Sequence, residues 1–282
     1  MAADLPALPH WDALAQLADD DLPLLATALL IARDEYPELD PQHCDRQLQA
    51  HADHLRIEVE AIGEWPLKVA AINHHLFNVL GYGGDLEDYH DPRNSYLNDV
   101  LARRLGNPIS LALVQMEVSR RLGLPLQGIS FPGHFLVRLP VEEGVLIMDP
   151  FNGGRPLGVD ELRQRARDNL GGQRLDDHLL ARILDPAPAR AILMRMLRNL
   201  HGSYVEREQW DRAARCADRL LKLAPECNSA LRDRGLAYRQ LGHLAGARAD
   251  LAQYLQREPD ADDVMQVRQH LLELATARPR LH

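Results

Sequence analysis

The stretch from Asn107 to Asn152 constrains the fold more tightly than any other, because it reads helix, strand, strand, strand and carries its polar residues at the junctions. Asn107 is a favoured N-cap type, and Pro108 falls at the first helical position, where a missing N–H costs nothing. Ile109, Ala112, Leu113 and Met116 then recur at helical spacing, and Leu122-Gly123-Leu124-Pro125 stops the helix. Three short apolar runs follow, Leu126 to Phe131, His134 to Leu139 and Val145 to Met148, and they read as strands.

A loop over Pro140 to Glu143 makes the last two runs a hairpin that pairs Leu139 with Gly144, Val137 with Leu146 and Phe135 with Met148. One face is then apolar throughout. The same register sets His134 opposite Asp149, and facing residues have Cβ atoms about 4.5 to 5.5 Å apart, close enough for a carboxylate to orient an imidazole. His134 and Asp149 are therefore expected to form a dyad. Each also has a purely structural use, His134 as a core-edge histidine bonded to a carbonyl and Asp149 as a turn acid before Pro150 to Gly154.

The segments Gly-Asn-Pro-Ile-Ser-Leu, Arg-Arg-Leu-Gly-Leu-Pro, Pro-Gly-His-Phe-Leu-Val-Arg and Met-Asp-Pro-Phe-Asn-Gly-Gly resemble the SirB family of bacterial transglutaminase-like proteins. Tyr89 to Leu101, with Asp-Pro-Arg-Asn-Ser-Tyr-Leu-Asn inside it, resembles that family too. The resemblance implies a papain-like core in which a cysteine at the helix start attacks an acyl group, the histidine takes its proton and the aspartate orients the histidine. Counted back from Gly123, the thiol position lands on Pro108, which has no nucleophile. Ser110 stands two residues on, a turn of about 200° around the helix. A hydroxyl also needs a better-aligned base than a thiol does. Ser110 is read first as a helix-start residue and second as a nucleophile.

The chain has 282 residues, 46% hydrophobic and 26% charged, enough for a core and two domains. A formal net charge of −9 argues against a general nucleic-acid surface and against membrane surfaces as partners. There is no run of about eighteen apolar residues, and Met-Ala-Ala-Asp-Leu-Pro lacks the design of a secretory signal, so a cytoplasmic protein is expected. Cys44, Cys216 and Cys227 are odd in number and follow no ligand pairing, in keeping with a reducing compartment.

Trp11 to Leu80 is expected to be mostly helical, broken at Asp40-Pro41 and Trp65-Pro66, and to pack beside the small core as a bundle. His43, Cys44, His51 and His54 form its one ligand-like group, read as solvated outer-face residues, and no metal or cofactor is assigned. His74 and His75 are adjacent and so do not share a helix face. Gly81 to Gly84 lacks the lysine of a phosphate-binding loop and reads as a helix cap with a turn. Asp91 to Ser95 reads as a turn and helix start, with Tyr89 and Asn94 as residues that could line a groove.

A short helix, Asp160 to Asn169, and a Gly171-Gly172 break lead to Pro186-Ala187-Pro188, the expected domain boundary. Beyond it Tyr204 and Tyr238, Ala213 and Ala247, Leu221 and Leu255, and Pro225 and Pro259 are each 34 residues apart, the tetratricopeptide period. Gly235 and Tyr238 are spaced as that repeat has them, whereas His201 stands where the first unit's glycine would be. Two units and a capping helix, Asp262 to Ala277, are expected, serving either as a peptide groove or as a buttress.

The expected architecture is α+β and mostly helical: a small antiparallel sheet in a transglutaminase-like core over 1–186, then helical repeats over 187–282. Two functions follow from it. One is a non-catalytic regulatory or scaffold protein that binds a protein or peptide. The other is a hydrolase or acyltransferase acting through Ser110, His134 and Asp149.

Overall fold

A computed structural model describes residues 5–142, 144–171 and 175–276. It divides into two compact units, Met1–Pro9 with Ala18–Met196, and His10–Leu17 with Leu197–His282. Mostly helical, it has a small antiparallel sheet early in the chain and a run of long helices after it, as the sequence leads one to expect.

In the first unit α1 (Leu24–Arg33), α2 (Pro41–Ala61) and α3 (Trp65–Asn73) precede the sheet. Pro41 and Pro66 sit in the first turns of α2 and α3, where proline is pre-organised, so the two expected breaks are helix starts. The helix continues past α3 as a π-helical turn, His74–Val79. Two-residue strands β1 (Gly83–Gly84) and β2 (Leu105–Gly106) pair in parallel around α4 (Leu97–Arg103). Then come α5 (Pro108–Arg121), β3 (Gln127–Ile129), β4 (Leu136–Val141), β5 (Gly144–Asp149) and β6 (Arg155–Pro156), the last four strands in that spatial order. The unit closes with α6 (Val159–Asn169), α7 (Asp177–Ile183) and the first part of α8 (Ala189–Glu206). Ile129, Leu136 and Ile147 from the strands and Phe131 just after β3 pack with Leu162, Ala166 and Leu180 in one core.

The hairpin register differs from the expected one. Val137 faces Met148, Leu139 faces Leu146 and Val141 faces Gly144, a shift of two positions. A two-residue shift keeps every side chain on its face, so the apolar side of the hairpin is the expected one. The difference lies at Pro140, which reads as a loop residue and stands in β4. β3 pairs β4 only as far as Arg138, so Pro140, opposite Val145, has no strand on its other side and its missing N–H breaks no ladder. Glu143, also placed in that loop, lies outside the described residues.

In the second unit α9 (Trp210–Leu223), α10 (Asn228–Gln240), α11 (Leu244–Arg257) and α12 (Val264–Thr276) follow α8. Ala213 and Ala247, one period apart, are both fully buried. A Cβ on Gly235 would meet the Leu251 side chain at 2.9 Å, so the glycine lets α10 and α11 approach closely. The expected capping helix corresponds to α12, and Ala277 lies outside the described residues. The 3₁₀ segment Trp11–Gln16, expected beside the core, belongs instead to this unit: Arg219 lies 4.9 Å over the Trp11 ring, and Asp12 pairs with Lys222.

Candidate functional site

The start of α5 forms as a reciprocal cap. The Asn107 side chain accepts the Ser110 amide at 3.0 Å, and Ser110 Oγ accepts the Asn107 amide at 3.0 Å. Ser110 Oγ also lies 2.6 Å from the Asn94 carbonyl and 3.1 Å from that of Asn107, so its single hydrogen is directed at backbone oxygens. The residue is 0% exposed. No hydrogen bond joins it to His134.

Asn94, proposed as a groove residue, is buried. Its amide nitrogen donates to the Asp88 and Tyr89 carbonyls, its Oδ1 accepts from Arg103 at 3.1 Å, and its own carbonyl receives both Ser110 Oγ and the Asn107 amide. Arg103 also reaches Asp85 at 3.0 Å. The Asp91 to Ser95 segment therefore clamps the start of α5. Burial alone would raise the Asp85 and Asp91 carboxyls, but their backbone and arginine hydrogen bonds hold both below the usual range.

In the dyad itself, His134 Nε2 lies 2.8 Å from Asp149 Oδ1. His134 is not the first residue of β4. It sits in the turn before the strand, its amide bonded to the Phe131 carbonyl at 3.0 Å, and Asp149 at the end of β5 pairs with Arg155 of β6. The contact is thus made from a turn rather than by a cross-strand pair. Gly133, at φ 68°, supplies the left-handed residue which that turn needs.

Asp149 is 0% exposed, and its second oxygen accepts from Arg165 Nη1 at 2.8 Å and from Asn152 at 2.7 Å. Burial works to raise its carboxyl, but the hydrogen bond and charge of His134, with the bonds from Arg165 and Asn152, outweigh burial and hold it well below the carboxylate range. A chain of ion pairs, Arg155 to Glu161 to Arg165 to Asp149, runs out from the site to the surface.

The imidazole is 18% exposed. The Phe151 ring stands edge-on to it at 5.9 Å, and Tyr89 stands edge-on to Phe151 at 5.8 Å. Tyr89 is 45% exposed. Phe151 lies so close over Gly84 that a Cβ there would fall 2.3 Å from the ring, so glycine in β1 admits the ring. Behind the site, Asn73 donates to the Gly154 carbonyl at 2.8 Å and accepts from Gln115 at 2.5 Å, tying α3 and α5 to the loop after β5.

Sequence reasoning missed Arg165, Asn152, Asn73 and Gln115. The last two carried a signal, since each is a polar residue inside an apolar helix face. His51 and His54 also meet an unforeseen partner. His54 stacks on His75 at 4.7 Å, His51 lies 6.1 Å from it, and His51 Nε2 reaches the Tyr82 hydroxyl at 3.2 Å. The π-helical turn changes the phase of the chain and buries His75. Burial first, then the neighbouring cationic groups, push His51 down to about 4. Among the described residues no group of three or more His, Cys, Asp or Glu side chains is arranged to hold a metal ion.

Cys44 and Cys216 are buried, and Cys227 is partly so. Burial, then the charge of Asp40, raises the Cys44 thiol to about 11, which makes it a poor nucleophile. Among the described residues no helix is long and apolar enough to cross a membrane.

Comparison with known proteins agrees with these features. The model of the transglutaminase-like superfamily matches residues 42–198, and a tetratricopeptide repeat model matches 200–271. A UPF0162 protein of Xylella fastidiosa is 61% identical over 275 residues, 98% of each chain. A UPF0162 protein of Pseudomonas aeruginosa is 33% identical over 96% of this chain and 98% of its own. Protein SirB1 of Salmonella typhimurium is 29% identical over 66% of this chain and 68% of its own. No solved structure matches. A helix capped by Asn107, a sheet ending at a His134–Asp149 pair and a family match over more than half of the sequence lead to one conclusion: the chain belongs to the transglutaminase-like superfamily, with tetratricopeptide repeats after its core.

Proposed function

We propose that this protein works by binding rather than by turnover: a SirB-type transglutaminase-like core and its repeats engage a protein or peptide partner as a regulatory or scaffold module in the cytoplasm. The observation that carries this reading is the start of α5. Pro108 occupies the position that the thiol takes in the resemblance, and Ser110 Oγ is buried with its hydrogen on backbone carbonyls. A serine nucleophile needs its hydroxyl on the base. The retained His134–Asp149 bond favours the second reading, a serine-dependent hydrolase or acyltransferase, and also suits a brace between the His134 turn and the end of β5. The similarity to Protein SirB1 supports the SirB assignment, and the repeats support a protein partner.

The test measures amide hydrolysis and acyl transfer on a peptide panel, with and without iodoacetamide, for wild type, Ser110→Ala and His134→Ala. No turnover above background is expected in any of them. Turnover lost in both variants would overturn the proposal in favour of serine catalysis, and turnover blocked by iodoacetamide would do so in favour of a cysteine.

A further inference from the structure

Arg195, on the part of α8 that belongs to the first unit, touches the same turn that presents His134. Its Nη1 donates at 3.1 Å to the Phe131 carbonyl, the oxygen that also accepts the His134 amide. The guanidinium carbon lies 6.0 Å from the centre of the Phe135 ring. Although Arg138 donates to a carbonyl, that of Leu184, most other part-buried arginines of this unit meet a carboxylate: Arg103 with Asp85 at 3.0 Å, Arg121 with Asp45 at 2.5 Å and Arg165 with Asp149 at 2.8 Å. No such pair is formed by Arg195 among the described residues, although a guanidinium has five N–H donors and one is spent here.

Its electrostatic neighbour is Tyr89, the exposed end of the aromatic row that runs through Phe151 to His134. Burial lowers the Arg195 guanidinium and raises the Tyr89 hydroxyl, and each group's charge works against that shift in the other. A guanidinium partly stripped of water and paired with no anion among the described residues is suited to an anion brought from outside. Its planar fork matches a carboxylate.

We infer that the face formed by His134, Phe151, Tyr89 and Arg195 receives a carboxylate of a partner peptide, with Arg195 as its counter-ion and the two aromatic rings packing against the adjoining chain. This rests on reading the dyad face as a binding surface, and it names the chemistry bound there. An acidic side chain and a C-terminus offer the same group, and the probes below separate them.

The experiment follows the histidine ring signals of the full-length protein by NMR, with His134 assigned by its loss in His134→Gln. Three capped amino acids are titrated: N-acetylglutamate amide, with a side-chain carboxylate only; N-acetylglutamine, with a C-terminal carboxylate only; and N-acetylglutamine amide, with neither. His134 is expected to shift with at least one carboxylate probe and not with the neutral one, and the responding probe identifies the source. Arg195→Gln should weaken that binding by at least about tenfold, and Arg195→Lys should restore part of it. Equal shifts from all three probes would overturn the carboxylate inference while leaving the binding reading in place. No shift from any probe would overturn both for this face. Undiminished binding in Arg195→Gln would remove Arg195 from the site. The contrast between probes is read in wild type, so a variant that fails to fold leaves the test decisive.

Discussion

The start of α5 and the end of β5 are the two places where the superfamily's chemistry is expected, and they are built in opposite ways. At the first, every polar atom of Ser110 serves the local fold, and the side chain is sealed from solvent. At the second, a buried carboxylate is held by three side chains, and the imidazole bonded to it reaches the surface. The first end has become a helix cap joined to Asn94. The second keeps a charged arrangement whose cost in desolvation is offset only while all its partners stay in place. The His134–Asp149 pair ties a turn to a strand end whether or not it moves protons.

That contrast can be broken by substitution. Asp149→Ala leaves Arg165 and His134 facing an empty, partly buried site, and should cost about 3–5 kcal/mol in urea or guanidinium unfolding. A loss below about 1 kcal/mol would mean that the pair braces nothing. The same end should also carry a pH signature. The folded-state value of Asp149 lies below its unfolded value, so its stabilisation is complete above the unfolded value, near 3.8, and is lost as pH falls from there through the folded value. The stability difference between wild type and Asp149→Asn should therefore shrink on acidification below about pH 4. A difference independent of pH would argue against an ionised Asp149.

Ser110→Ala removes half of the reciprocal cap and should cost about 1–2 kcal/mol, leaving the His134 ring signals where they are. Movement of those signals would show that the two ends are coupled. Pro108→Ala should change stability least, by about 0.5–1 kcal/mol, through the unfolded chain's freedom. A larger loss would mean that the proline packs as more than a helix start.

Much of this was legible from local chemistry. Asn107 and Pro108 announce a helix start because the cap involves residues three apart, and the 34-residue period is legible at Ala213 and Ala247, which each repeat buries. The strand faces were legible for the same reason, while the register was not, since Pro140 reads as a breaker unless the shortness of β3 is known. Tertiary partners were out of reach. Arg165 approaches Asp149 from α6 and Arg195 approaches the His134 turn from α8, with no sequence spacing to join them. Arg195 left one trace, a charge set among Ile192, Leu193, Met196 and Leu197 on a helix. The stacking of His75 on His54 had no spacing to announce it, because a π-helical turn breaks the period on which face assignments rest.

Proline at the first position of α5 also bears on how this chain could change over evolutionary time. That position spends no N–H on the helix, and Asn107 and Ser110 close the cap without help from the pyrrolidine ring. A lineage that replaced Pro108 with cysteine would keep the capping bonds and place a thiol at a helix N-terminus, where thiolates are favoured, in a protein that holds a histidine and an aspartate together. Pro108 is thus a position where the side chain can change while Asn107 and Ser110 keep the helix start.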